Sequence, residues 1–145
     1  MKERDIQLIE IRFPDGNKKS VEQDTSLLEL SMEYQKNYGS PIVATKVDND
    51  IKELTHRLSQ DCHVEFIDLT YSDGIRIYQR SLYFILVKAA NDLFPDRKVV
   101  ICHSISKGIY CEIKGEKELA QEDIIAIKSR MEELVKAEIP FIKRI

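Results

Sequence analysis

No stretch of this sequence approaches the ~18 consecutive apolar residues that a membrane-spanning helix requires, so no membrane partner is expected. The first residues, MKERDIQL, are charged and lack the apolar core of a secretory signal, and a cytoplasmic location is expected. Cysteine is sparse and odd in number: Cys62, Cys102 and Cys111 argue against a disulfide framework and for free thiols in a reducing compartment. An excess of positive charge is also missing. With 22 Lys+Arg against 25 Asp+Glu the net charge is −3, so the chain as a whole is no magnet for nucleic acid. Residues 1–70 carry 9 basic and 14 acidic side chains, a balance of −5, and residues 71–145 carry 13 and 11, a balance of +2. The phosphate-binding signature of two glycines with four residues between them, followed by Lys and Ser or Thr, is absent. Gly108 and Gly115 come nearest, without that Lys-Ser/Thr pair, and no ATP site is expected in this segment. No internal repeat or low-complexity run is visible.

What is present is the composition of a globular chain, 43% hydrophobic and 32% charged over 145 residues, enough for one ordinary domain or two small ones. Ile6 to Phe13 alternates roughly between apolar and polar residues and reads as a half-buried strand. Pro14-Asp15-Gly16-Asn17 is a turn, with Lys18 to Val21 returning as a second strand. Asp24 or Thr25 is the expected N-cap of a short helix carrying Leu27, Leu28, Leu30, Met32 and Tyr34, ended by Gly39 and Pro41. Val43 to Val47 is a third strand, Asp48-Asn49-Asp50 a turn, and Ile51 to Leu54 a short returning strand. Leu58 is expected to anchor a connecting turn, and His63 to Leu69 reads as a last strand with Val64 and Phe66 toward the core. One helix lying across a mixed sheet is the β-grasp arrangement, in which the helix buries its Leu face on the sheet.

Tyr71-Ser72-Asp73-Gly74 is expected as a hinge, being short, polar and glycine-containing. Ile75 to Phe94 reads as a long helix with apolar residues at three- and four-residue steps: Leu82, Ile85, Leu86, Ala89, Ala90 and Leu93. Phe84 and Val87 widen that face, so burial on more than one side is expected. Residues 99–103 and 109–113 form a hairpin around Ser104 to Gly108, and Gln121 to Glu138 is a further helix with Ile124, Ile127, Met131, Leu134 and Val135 in one stripe. One hairpin and two helices leave the second sheet unfinished, and the chain is expected to be cut within this domain.

Four stretches of the first half carry a resemblance to TGS domains, the β-grasp modules at the front of threonyl-tRNA synthetases and of some GTPases. They are Phe13-Pro14-Asp15-Gly16, Asp24-Thr25-Ser26-Leu27-Leu28-Glu29-Leu30, Val43-Ala44-Thr45-Lys46-Val47-Asp48-Asn49 and Leu54-Thr55-His56-Arg57-Leu58. The second half resembles the start of the synthetase's editing-type domain. The matching runs are Arg80-Ser81-Leu82-Tyr83-Phe84-Ile85-Leu86, Leu93-Phe94-Pro95-Asp96-Arg97-Lys98, Ser104 to Glu112, Glu122-Asp123-Ile124 and Pro140-Phe141. The resemblance implies an α+β chain: a ubiquitin-like β-grasp domain over 1–70, a hinge over 71–74 and a truncated editing-type domain over 75–145.

Departures from that family are informative. Where the resemblance implies two histidines four apart on one helix, able to hold a metal or a water, this chain has Arg80 and Phe84. Arginine stays protonated and phenylalanine has neither donor nor acceptor, so editing hydrolysis is not expected here. No catalytic residue is assigned. Arg80 offers a planar fork for a phosphate or carboxylate, and equally suits an exposed helix position. With Tyr83, His103, Tyr110 and Cys111 it makes a candidate ligand cleft, to which Tyr78 is a further aromatic neighbour; these aromatics serve packing as readily as stacking. Cys102, His103 and Cys111 invite a zinc reading, but buried thiols in strands are ordinary core residues, the spacing is not that of a Cys-x-x-Cys site, and no metal is expected. His56, in the Leu-Thr-His-Arg-Leu link, is expected to be solvated, and no catalytic use of His56 or His63 is expected. Lys128, Arg130, Lys136, Lys143 and Arg144 alternate with Glu132, Glu133 and Glu138, which reads as a solvated, salt-bridged face.

The paired domains also resemble the front of long bacterial uridine-kinase-like proteins. That resemblance implies a non-catalytic accessory region that binds RNA or a small ligand and acts on its own downstream catalytic domain. ATP and Mg would belong to that downstream kinase domain. The alternatives are the front of a threonyl-tRNA synthetase contacting tRNA, and a free-standing RNA or ribosome adaptor.

Overall fold

The computed structural model describes residues 5–144, which divide into two compact units at Gln79/Arg80. In the first unit, β1 (Leu8–Arg12) and β2 (Lys18–Glu22) form an antiparallel hairpin with Ile9 opposite Val21. The turn closes as its residues dictate. Gly16 takes φ +87°, its N–H donates to the Phe13 carbonyl, and Asp15 accepts from the Asn17 N–H at 2.9 Å. Helix α1 (Leu27–Tyr34) follows, then a single 3-10 turn (Gln35–Asn37), β3 (Ile42–Val47), β4 (Asp50–Lys52) and β5 (Cys62–Asp68). The β3–β4 turn uses positive φ at Asp48 and Asn49, a conformation that short polar side chains tolerate.

The N-cap of α1 is Ser26 rather than Asp24 or Thr25. Its hydroxyl accepts from the Glu29 N–H at 3.2 Å, and the Glu29 carboxylate accepts from the Ser26 N–H at 3.0 Å. Asp24 stands at φ 70° in the preceding turn, and the Thr25 hydroxyl is taken by the Glu22 carbonyl. The five strands run in the order β2-β1-β5-β3-β4, with β1 and β5 parallel at the centre and every other neighbour antiparallel. Ile9, Ile11, Leu27, Leu30, Val64 and Phe66 form the buried core, each side chain worth roughly 1.5–3 kcal/mol of burial. Leu28 and Met32 are exposed, so α1 buries only a narrow stripe. Leu58 anchors its link as expected: it is buried, its carbonyl accepts from Asp24 N–H, and its N–H donates to the Thr25 carbonyl.

The stretch expected as a hinge is structured. Helix α2 (Ser72–Leu93) takes in Ser72, Asp73 and Gly74 as its first turn, and the Ile75 N–H donates to the Tyr71 carbonyl. Gly74 is buried, and a Cβ there would collide with the Asp68 carbonyl, so this glycine permits close approach rather than bending. Helix α2 belongs to the first unit through Gln79 and to the second from Arg80.

The second unit adds β6 (Lys98–Ile105), β7 (Gly108–Lys114) and α3 (Gln121–Lys136). Strands β6 and β7 form a two-stranded antiparallel sheet with a bulge at Cys102. Its core holds Ala89, Ala90, Ile127 and Leu134, with Ile85, Leu86, Val99 and Ile113 partly buried around them. The wider buried face expected from periodicity does not form. Phe84 is 67% exposed, Ile124 57% and Val135 58%, and Leu82, Val87 and Leu93 are also exposed. Two helices and one hairpin cover only one side of each helix, so the remaining apolar residues meet solvent. The whole is α+β, and among the described residues no helix is long and apolar enough to cross a membrane.

Candidate functional site

Arg80 and Phe84 lie one helical turn apart on α2 and so share a face. Arg80 is exposed and Tyr83, one residue before Phe84, is half-buried. The Phe84 ring meets Phe141 edge-on with centroids 5.9 Å apart. With Ile85, Leu134, Val135 and Ile139 these two rings line an open apolar cavity of about 600 Å³, to whose lining Arg80 does not belong. Phe84, 67% exposed, thus presents a ring at the edge of an apolar cavity, with no proton to exchange.

On the hairpin, His103 and Tyr110 are cross-strand partners with ring centroids 5.5 Å apart. The Tyr110 hydroxyl lies 3.4 Å from the Glu112 carboxylate, whose charge holds its pKa above the usual phenol value. Cys111 pairs in register with Ile101 and is half-buried, whereas Cys102, in the bulge, is exposed, contrary to the reading of both as core thiols. Burial, then the neighbouring Cys102, pushes the Cys111 thiol up. That disfavours the thiolate a metal would need. Among the described residues no three His, Cys, Asp or Glu side chains converge as a ligand set. The structure therefore brings His103, Tyr110 and Cys111 together on one hairpin. Among the described residues, no hydrogen bond or ring contact links them to Arg80 or Tyr83.

Helix α3 carries the salt-bridged face its charge pattern implies. Arg130 lies 2.9 Å from both Asp92 and Glu133, and Asp92 also pairs with Lys88. Lys88, then Arg130, holds the Asp92 carboxyl below its usual value. His63, flanked in sequence by Asp61 and Glu65, is brought by the fold to 3.6 Å from the distant Asp48. His56 is half-buried, and its main-chain carbonyl accepts from the Leu27 N–H.

A second concavity, of about 410 Å³, lies in the first unit. Phe13, Tyr34, Tyr38 and Phe66 form one aromatic cluster, with Phe13–Tyr34 at 4.9 Å, Tyr34–Phe66 at 5.5 Å and Tyr38–Phe66 edge-on at 6.1 Å. The Tyr71 hydroxyl reaches the Glu65 carboxylate at 3.5 Å, and Asp15 completes the charged lining. Tyr38 has its pKa raised by burial and then by Tyr71, Asp68, Glu65 and Asp15. Tyr71 is raised by burial and then by Glu65 and Asp68. Sequence reasoning missed this group because its members are scattered from residue 13 to residue 71. The one local signal was Tyr34, closing a helix whose other apolar residues are Leu and Met, with Tyr38 four residues on.

No family model matches the chain. Among curated proteins it is similar to the threonine–tRNA ligase of Psychrobacter cryohalolentis, with 31% identity over 138 residues, or 95% of this chain. The chain spans about a fifth of that relative's length, the match covering 21% of it. The similarity thus runs over nearly the whole of this chain and the corresponding fifth of the ligase.

Proposed function

We propose that this chain is a non-hydrolytic accessory region of a larger enzyme, a TGS β-grasp unit followed by an editing-type unit that has lost its chemistry. The observation that carries the reading is the pair Arg80 and Phe84. One turn apart on α2, in a segment similar to a threonine–tRNA ligase, they supply a permanent cation and a ring in place of titratable imidazoles. Binding-linked control of a nucleoside-kinase-like domain, with ATP and Mg handled there, is the role that fits a retained fold without retained chemistry. The units bind RNA or a small ligand and position the catalytic domain. The similarity over 95% of the chain supports a second reading, an accessory region of a synthetase-type enzyme contacting tRNA.

The full-length gene product, with and without residues 1–145, is to be assayed for ATP-dependent phosphorylation of a nucleoside panel, for threonine-dependent ATP–pyrophosphate exchange, and for hydrolysis of mischarged tRNA. Nucleoside phosphorylation altered by the truncation is the expected result. Pyrophosphate exchange without phosphorylation would move the chain to the synthetase reading, and hydrolysis of mischarged tRNA dependent on residues 80–145 would overturn the loss of chemistry.

A further inference from the structure

We propose that the aromatic concavity of the first unit is a binding site for a small organic cation, an alkylammonium or guanidinium group seated against Phe13, Tyr34 and Tyr38 and neutralised by Glu65 and Asp15. The inference holds whichever larger enzyme carries the unit.

Three independent features converge. The first is shape: about 410 Å³ falls within the ~300–1,000 Å³ typical of small-ligand sites. The second is the wall. Phe13, Tyr34 and Tyr38 are half-buried, pack on the core and leave part of their rings facing the concavity. The face of such a ring attracts a cation by its quadrupole, by roughly 0.5–2 kcal/mol per contact. The Lys19 ammonium, ion-paired with Glu33, lies 5.6 Å from the Tyr34 ring centroid, a distance at which such a ring and a cation attract.

The third feature is charge. Among the described residues, Asp15 and Glu65 are the charged groups lining the concavity, and no Lys or Arg joins them. Residues 1–70 as a whole carry a balance of −5. Burial foremost raises the phenols of Tyr38 and Tyr71, and Glu65 and Asp68 add to it in both by opposing further negative charge there. A phosphate-bearing ligand meets repulsion in such a site, whereas a cation gains from both the rings and the carboxylates. Asn17 and Asn37 at the rim supply amide oxygens for ammonium or guanidinium N–H donors.

The chain contains no tryptophan and six tyrosines, of which Tyr34, Tyr38 and Tyr71 line the site, so tyrosine emission reads it directly. Spermidine, methylguanidinium and tetramethylammonium would be titrated onto the whole chain at low salt, followed by tyrosine fluorescence and by amide NMR shifts. Uridine and uridine monophosphate serve as neutral and anionic comparisons. Expected are saturable shifts confined to residues around 13–17, 34–38 and 65–71 for at least one cation. Binding should weaken at least fivefold in Glu65→Gln and in Tyr38→Leu, and stay unchanged in Glu132→Gln, which removes a remote carboxylate. NMR dispersion of each variant establishes that it is folded. The proposal is overturned if no cation saturates, if Glu132→Gln weakens binding as much as Glu65→Gln, or if uridine binds where the cations do not.

Discussion

Gly74 and the main-chain carbonyl of Asp68 are in such close approach that a Cβ built on the glycine falls far inside contact distance of the carbonyl oxygen. The Ile67 side chain closes the same space from the other side, 3.2 Å from that Cβ position. The first turn of α2 is therefore laid directly on the end of β5, and the Asp68 carboxylate holds the intervening turn by accepting from the Thr70 N–H at 2.9 Å.

This contact reverses the usual sign of a helix substitution. Alanine in place of a helical glycine ordinarily stabilises by about 1 kcal/mol. At position 74 the added methyl meets main chain that cannot rotate away, and Gly74→Ala is expected to cost about 1–3 kcal/mol by overpacking. Gly39→Ala, where nothing lies within 4 Å of the new Cβ, should stay within about 0.5 kcal/mol of the parent. Urea denaturation of both variants measures the difference, and a stabilised Gly74→Ala would refute the close approach.

The Ser26–Glu29 box sets the start of α1, and Asp24 does not. Ser26→Ala should lose about 1 kcal/mol. Asp24→Gly should be neutral or stabilising, because glycine adopts the φ of 70° without steric cost. Chemical denaturation monitored by far-UV circular dichroism tests the pair, and equal losses at the two positions would contradict this assignment.

Burial divides the α3 stripe. Ile127 is 4% exposed and Ile124, one helical turn earlier, 57%. Ile127→Ala is expected to cost about 2–5 kcal/mol and Ile124→Ala less than about 0.5 kcal/mol. Thermal unfolding, with NMR resonances of residues 98–136 as the local readout, checks both.

Asp68 links stability to pH. The Thr70 hydroxyl foremost, with the Thr70 N–H and Ser40, holds its carboxyl below the usual value of 3.8, and its side chain sits in a residue only 4% exposed. A depressed folded-state pKa contributes stability above the unfolded value that is lost as pH falls through the folded value. The parent should therefore lose stability as acid is added below about pH 4. Asp68→Asn should be less stable at neutral pH and show a flatter decline over that range. Urea midpoints from pH 7 to pH 2 measure this, and parallel curves would remove Asp68 as a source of the dependence.

Much of the first unit was legible in advance because its signals are local. Alternation marked β1 and β5, Asp-Gly marked the hairpin turn, and Leu58 was recognisable as an anchor between polar neighbours. The N-cap was misplaced because Asp24, Thr25 and Ser26 are all good capping residues, and only the path of the chain past the Leu58 main chain decides which one faces the helix. The hinge was misread for a similar reason. A glycine is needed for freedom or for closeness, and the composition of Tyr71–Gly74 is the same in both cases.

In the second unit, periodicity located both helices and the hairpin but overstated what they bury. A three-and-four spacing says which residues share a face, not whether anything covers it. Phe84 and Val135 satisfy the pattern and remain exposed, because the elements around them cover other faces. That Arg80 and Phe84 offer no titratable imidazole needed no structure, since it follows from side-chain identity alone. The grouping of Phe13, Tyr34, Tyr38, Glu65 and Tyr71 around one concavity was invisible until the strands paired. Sequence by itself determined most element types, the charge balance and the side-chain chemistry available on α2, all properties of neighbouring residues or of side-chain identity. Tertiary structure alone decided which caps engage, which apolar faces are covered and which distant side chains meet, because those depend on distances across the sheet that no local pattern encodes.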